Sequence, residues 1–255
     1  MLYITCSNKL YLNQGVDIIP MEIGAIIKEL EAVAPPEMAE EFDNGRIGLV
    51  IEGKTEISGI ACALDATPAV IDAAVAAGVD MLVVHHTPLW HPVTTVSSSL
   101  GSLLRPILGS GMNVYVLHTN YDHAPGGIND TLAGMLRLSD IDRMSLGLTG
   151  TCSLTFQEIS RILNVPLRVW GEARFPKRLA VVGGSGFDAV IIAEAISCGA
   201  DTFLSSELKH SVLRNMPVTF VEATHYALEA PGMKKLAEEH NWLYIDDIPR
   251  MCIWM

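Results

Sequence analysis

The phrase Ala74-Val75-Ala76-Ala77-Gly78-Val79-Asp80-Met81-Leu82-Val83 has a second version downstream, Ala195-Ile196-Ser197-Cys198-Gly199-Ala200-Asp201-Thr202-Phe203-Leu204. Each reads as the end of a helix, a glycine suited to the left-handed position beyond it, and a short apolar strand. The apolar runs that follow, Val114–Leu117 and Val218–Val221, also correspond, and each leads to a histidine four residues before an acid. Helix–glycine–strand is a common α/β phrase, so chance is the bland explanation. The His-to-acid element in the same relative place favours an internal duplication instead. The expected fold is therefore α/β (α+β), with two similar α/β halves facing each other across a central cleft. The division expected is an N-terminal extension over 1–20, a first half over 21–148 and a second over 149–255, with room for the halves to intertwine.

Helical spacing starts at Met21 and stops at Pro35-Pro36, so residues 1–20 read as an extension, or as the product of a start codon upstream of a functional Met21. Strands are expected over Ile47–Ile51, Ile57–Leu64, Val114–Leu117 and Leu179–Val182. Thr67-Pro68 opens a helix, with Thr67 as its N-cap and proline at its first position. Further helices are expected over Leu100–Leu108, after a serine loop at 97–99, and over Ile128–Leu136, Asp188–Cys198 and Pro231–His240.

With 49% apolar and 18% charged residues the chain can bury a sizeable core, and no apolar stretch is long enough to span a bilayer. The formal net charge of −12 offers no cationic surplus for nucleic acid or an acidic membrane. Five scattered cysteines without a C-x-x-C pair fit reduced thiols, and with no apolar signal segment the expected location is cytoplasmic.

The chemistry gathers where strands end. Met81–Val84 runs into His85-His86, Val114–Leu117 into His118 and Asp122, and Val218–Val221 into His225 and Glu229. Four histidines and two carboxylates suffice for two metal ions. His91, His123 and His240 read as ordinary surface or core histidines, with His210 undecided. The adjacent pair is harder to explain by packing, because burying two imidazoles requires two polar partners. Neighbouring side chains on extended backbone diverge, so the pair suits two ions better than chelation of one. A four-residue spacing puts His118 with Asp122, and His225 with Glu229, on one face of a helical turn. Nitrogen and oxygen ligands without thiolate suit zinc, iron, manganese or nickel. A carboxylate such as Asp122 can bridge two ions roughly 3.5–4 Å apart, as in two-metal hydrolases. Gly183-Gly184-Ser185-Gly186 reads as a tight turn. It lacks the lysine of a phosphate loop, so anion contact is the lesser reading, and Ser185 lacks the setting of a nucleophile elbow.

These motifs together resemble the Nif-three-like family of dinuclear-metal proteins, also described as GTP cyclohydrolase I type-two-like. The resemblance rests on Phe42-Asp43-Asn44, Gly48-Leu49, Leu64-Asp65-Ala66-Thr67, His85-His86, His118-Thr119-Asn120-Tyr121-Asp122, Gly126-Gly127-Ile128-Asn129-Asp130, Gly183–Gly186 and His225-Tyr226 with Glu229. It implies a dinuclear centre with His85, His86, His118, Asp122, His225 and Glu229 as ligands, and a ring-shaped homohexamer. The chain departs from the family at Thr87, which precedes Pro88, at Ser205-Ser206-Glu207 where Thr-Gly-Asp is usual, and at Thr224, where glycine usually precedes the histidine. In the aligned halves His85-His86 falls on Ser206-Glu207, so an asymmetric site is expected. Asp65, Glu207 and Asn44 are candidate substrate contacts or supports for the ligands.

Two functions follow as expectations. One is a hydrolase with two divalent ions, acting on a nucleotide or phosphorylated small molecule. The other is a metal-binding protein without turnover, serving as a regulatory partner or metal-handling factor.

Overall fold

The computed structural model describes residues 20–252 apart from Ala173 and Met216. The expected extension, except Pro20, lies outside the described residues. In chain order the elements are β1 (Met21–Glu22), α1 (Ile23–Val33), β2 (Gly48–Ile51), β3 (Glu56–Ile57), β4 (Ile60–Asp65), α2 (Pro68–Ala76), β5 (Met81–His86), α3 (Ser98–Ser110), β6 (Asn113–Val116), α4 (Thr119–His123) and α5 (Ile128–Met135). They continue with β7 (Ser139–Arg143), β8 (Leu148–Thr151), α6 (Phe156–Leu163), β9 (Arg168–Trp170), β10 (Arg178–Val181), α7 (Ala189–Ser197), β11 (Thr202–Ser205), α8 (His210–Leu213), β12 (Thr219–Glu222), α9 (His225–Glu239) and β13 (Leu243–Tyr244). Two short 3-10 turns, Pro36–Met38 and Glu41–Asp43, follow α1. Among the described residues no helix is long and apolar enough to cross a membrane.

The fold is α/β, with two principal sheets in the orders β13-β4-β5-β6-β2 and β7-β8-β10-β11-β12-β9. Each has a parallel three-strand centre, β4-β5-β6 or β10-β11-β12, with an antiparallel strand beside its last member. The two centres match in topology. The sheets interleave along the chain. The second begins at β7, ahead of residue 149, and β13 returns to pair with β4 of the first.

Strand alternation builds the layers. Cys62, Leu64, Met81, Val83, Tyr115 and Leu117 face a cluster that contains Ile26 and Leu30 of α1 and Met233, Leu236 and Ala237 of α9. Ala61, Ala63, Leu82, Val84, Val114 and Val116 face α2 and α3 on the other side. The second sheet does the same, with Leu179, Val181, Leu204 and Val221 turned toward α5 and α6, and Ala180, Phe203 and Phe220 toward α7. Helices α5 and α9 share both inner clusters: Ile128 and Met233 pack in the first, Leu132 and Leu228 in the second. Those two helices therefore lie between the sheets, which is how a cleft forms at the strand ends.

Several boundaries differ from the sequence expectation. Helix α9 begins at His225, six residues before Pro231, because Thr224 caps it by accepting the Ala227 N–H. Pro231 lies inside the helix and forgoes one hydrogen bond. Ser98 and Ser99 belong to α3, and Ser97 is its N-cap, accepting from Leu100 N–H at 3.2 Å. The expected strand Ile57–Leu64 is split at Ser58-Gly59, where the Asp80 carboxylate accepts the Ser58 N–H at 2.8 Å and interrupts the ladder.

Candidate metal centre

Parallel strands deliver their carboxyl ends to one edge, where open α/β sheets place ligand sites. His85 and His86 end β5, Asp65 ends β4, and His118 follows β6 as the residue before α4. From the second sheet, Glu207 follows β11 and His225 opens the helix after β12. Alternation sends the adjacent histidines to different neighbours. His85 continues the inner row of Met81 and Val83 and is fully buried, whereas His86 pairs with Asp65.

All four histidines are held by the same nitrogen. Nδ1 of His85 donates to the Leu117 carbonyl at 2.7 Å, and Nδ1 of His86 to Asp65 Oδ1 at 2.7 Å. Nδ1 of His118 donates to the buried Asp43 carboxylate at 2.9 Å, and Nδ1 of His225 to Glu207 Oε1 at 2.7 Å. Because carbonyls and carboxylates only accept, Nδ1 must carry the proton, which leaves each Nε2 lone pair free. Metal-ligating histidines are oriented in this way.

The Nε2 atoms meet the two carboxylates. His86 Nε2 lies 3.1 Å and His225 Nε2 2.8 Å from Glu229 Oε2, and the two nitrogens are 3.3 Å apart. His85 Nε2 is 3.6 Å from Asp122 Oδ1 and 3.8 Å from Glu229 Oε1. Three groups have ligand atoms within 4.8 Å of one another: His85 with His86 and His118, His86 with His225 and Glu229, and His85 with Asp122 and Glu229. With each ring singly protonated on Nδ1, the buried atoms His85 Nε2, Asp122 Oδ1 and Glu229 Oε2 have no hydrogen-bond partner. A neutral imidazole with its proton on Nδ1 shows Glu229 only a lone pair, so these close contacts need either a second ring proton or a cation. The donor set fits a divalent metal.

The electrostatics agree. Burial drives His85 down to about 3, which keeps it a neutral ligand. Burial, followed by the charge of Glu229, holds the Asp122 carboxyl well above its usual range. For Glu229 burial acts upward, but hydrogen bonds from His225 and His86 and the charge of His225 outweigh it and pull the carboxyl down. Burial likewise works against protonated His86, yet Asp65 and Glu229 push it up to about 10. His225 is raised as well, burial being outweighed by Glu229 and Glu207. In metal-free protein the stabilisation from these two raised histidines is complete below about pH 6.5 and is lost as pH rises through their folded values. Metal must displace those protons. Calorimetric titration of chelator-treated protein at pH 7 is expected to show proton release on metal binding, from His86 and His225 and from the raised Asp122 carboxyl. Heats that do not change between buffers of different ionisation enthalpy would contradict this.

The turn at Gly183–Gly186 packs against the cluster. Gly184 has φ of +64°, and a Cβ there would come within 2.2 Å of Glu229 Oε1. Ser205 and Ser206 hydroxyls both donate to the Gly184 carbonyl, at 2.9 and 2.6 Å, and Gly183 N–H donates to Asn129 Oδ1 at 2.8 Å. Its role here is to give Glu229 room. Glu207, also left-handed at φ of +61°, is fixed in a conformation costly for a residue with a side chain.

The sequence reading overlooked Asp43. Asn44 is exposed and caps its turn through its backbone N–H, while its neighbour Asp43 is fully buried. Asp43 accepts from the Thr119 hydroxyl and N–H as well as from His118. Burial raises the Asp43 carboxyl, but these hydrogen bonds outweigh it and lower it. An acid in the conspicuous Phe42-Asp43-Asn44 turn was the available signal. Asp43→Asn is expected to weaken metal binding about 10- to 100-fold by loosening His118, as read by chelator competition. Of the three histidines read as ordinary, His123 meets Glu40 at 3.0 Å, His240 meets Glu29 at 2.8 Å while stacking on Trp242, and His91 is exposed.

Two α/β sheets close on a histidine–carboxylate cluster at their strand ends, a donor set that could hold metal. The family model described as Duf34/NIF3 (NGG1p interacting factor 3) matches residues 21–242, and the chain belongs to that family. A Streptomyces coelicolor protein named GTP cyclohydrolase 1 type 2 homolog is 30% identical over 258 residues, covering 86% of this chain and 88% of its own. A Methanocaldococcus jannaschii protein of the same name is 31% identical, covering 86% and 94%. Among solved structures, reduced HcgD from Methanocaldococcus jannaschii superposes with a TM-score of 0.77 at 28% identity, covering 89% of this chain and 98% of its own. A hypothetical protein of Staphylococcus aureus, at 23% identity, has the same fold with a TM-score of 0.80, covering 92% and 100%.

Proposed function

We propose that this chain is a metal-dependent hydrolase acting on a nucleotide or another phosphorylated small molecule. His85, His86, His118, Asp122, His225 and Glu229 would hold two divalent ions. The observation that carries the reading is the convergence of three partnerless buried atoms, His85 Nε2, Asp122 Oδ1 and Glu229 Oε2, with Nε2 of three further oriented histidines. The name GTP cyclohydrolase 1 type 2 homolog, carried by relatives at 30% identity and above, supports the choice of substrate class. When bound, such ions acidify water and polarise a phosphoryl or carbonyl oxygen.

The chain's own residues do the rest. Leu117, Asp65, Asp43 and Glu207 fix the four ring planes by accepting from Nδ1. Asp122 and Glu229 bring two carboxyl groups to a buried place where both ionise only if cations offset their charge. His225, with 31% of its side chain exposed, borders the open side where a substrate arrives. Zinc, iron, manganese and nickel all suit this donor set. A homohexamer in a cytoplasmic setting completes the proposal.

The test uses protein purified without a histidine tag, analysed for metal, then offered GTP, nucleoside mono- and triphosphates and a phosphoester panel. Turnover that disappears on chelation and returns with metal is expected. Metal-loaded protein inert toward the whole panel would overturn the reading in favour of a binding or metal-handling role.

A further inference from the structure

We propose that the pocket beside the histidine cluster binds the planar heterocyclic end of the substrate, with Trp90 as its stacking face. The proposal rests on the hydrolase reading for the phosphoryl end, and assigns a seat to the rest of the molecule. The pocket, of about 390 Å³, is lined by Leu64, Asp65, His86, Trp90, His225, Tyr226 and Pro249. Ligand pockets run from about 300 to 1,000 Å³, so this one has room for a one- or two-ring heterocycle while the rest of a nucleotide extends out of it. His86 and His225 form its wall toward the cluster, so a ring seated here lies next to the proposed metals.

The lining selects by chemistry. Four of its seven members, Leu64, Trp90, Tyr226 and Pro249, present apolar surface. It has no lysine or arginine, and its one carboxylate, Asp65, repels phosphate. A flat, uncharged ring fits; a phosphoryl group belongs at the metals. Asp65 commits Oδ1 to His86, which leaves its other oxygen for a ring N–H or amino group.

Trp90 is prepared for stacking. Trp90 is 40% exposed, a large apolar residue left facing water. It is nonetheless held: the Trp90 carbonyl accepts from Arg46 Nε at 2.8 Å, the Arg46 guanidinium lies 5.9 Å from the indole centroid, and the indole meets the His118 ring edge-on at 5.2 Å. Arg46 also donates to the Phe42 carbonyl, which ties the loop carrying Trp90 to the turn carrying Asp43. A ring fixed in advance loses little conformational freedom when a ligand stacks on it.

The experiment is calorimetric titration of the metal-loaded full chain with guanosine, adenosine and ribose 5-phosphate, in the parent, Trp90→Phe and Trp90→Ala. Nucleosides lack the phosphoryl group and need no turnover, so their binding reports the pocket even if the hydrolase reading fails. Expected results are nucleoside binding by the parent, retention within about threefold in Trp90→Phe, and loss of roughly tenfold or more in Trp90→Ala. Ribose 5-phosphate affinity should be the same in all three. No nucleoside binding by a parent that hydrolyses phosphoesters would overturn the pocket assignment and leave the hydrolase reading standing. Equal nucleoside affinity in parent and Trp90→Ala overturns it too. So does a change in oligomeric state by light scattering at unchanged nucleoside affinity, which would make Trp90 a contact between copies.

Discussion

Glu229→Gln protein, purified without a histidine tag, is expected to bind metal about 100-fold more weakly than the parent. The substitution keeps the volume of the side chain, so α9 and its packing survive while the charge is lost. Glu229 belongs to two of the three ligand groups, one with His86 and His225 and one with His85 and Asp122, so both lose a ligand at once. Losing a mere support for a ligand costs 10- to 100-fold in affinity, and losing the ligand costs at least the upper figure. Mass spectrometric metal analysis and chelator competition read the effect; parent-level metal content would remove Glu229 from the site. A second readout is available in metal-free protein. Burial opposes a charge on His86, and Glu229 is one of the two groups that push it up to about 10, so its imidazole should titrate lower in the variant.

Gly184→Ala is expected to destabilise the fold by about 2–5 kcal/mol and to weaken metal binding as well. Two costs add. The φ of +64° disfavours any residue with a Cβ by about 1–2 kcal/mol, and forcing an atom to within 2.2 Å of Glu229 Oε1 brings a typical overpacking cost of about 1–3 kcal/mol. Denaturant unfolding of metal-free protein isolates the stability part, because no ligand binding then contributes to the midpoint. Gly134→Ala is the control: no atom lies within 4 Å of its added Cβ, and its φ is not positive. Equal midpoints for the two variants would show that the turn does not constrain Glu229.

The candidate ligand residues were legible because strand ends concentrate them. A β-rich run that stops on His85-His86 states both the element and the direction in which its end is aimed. Residues 137–178 were far less legible. β7 is exposed along its whole length and has left-handed Asp140 inside it, so it offers no apolar alternation. α6 did carry a signal, the reciprocal capping box between Thr155 and Glu158, which could have placed its start. The early start of α9 was hidden by Pro231, a residue that usually marks a boundary and here sits inside a helix held on both faces by the sheets. Asp43 illustrates a different limit. Its acidity is visible in the sequence, but its partner His118 is 75 residues away, and only the folded chain brings them together.

Helix α9 lies between the two sheets, and β13 after it closes the edge of the first by pairing with β4. This arrangement has a temporal side. During synthesis β4, β5 and β6 emerge early, carrying His85, His86 and His118, yet the face that will meet Met233 and Leu236 stays uncovered. Glu229 arrives more than a hundred residues later. Until then the ribosome-bound chain has an open apolar sheet and an incomplete set of candidate donors, so the cluster can assemble only once the chain is nearly finished.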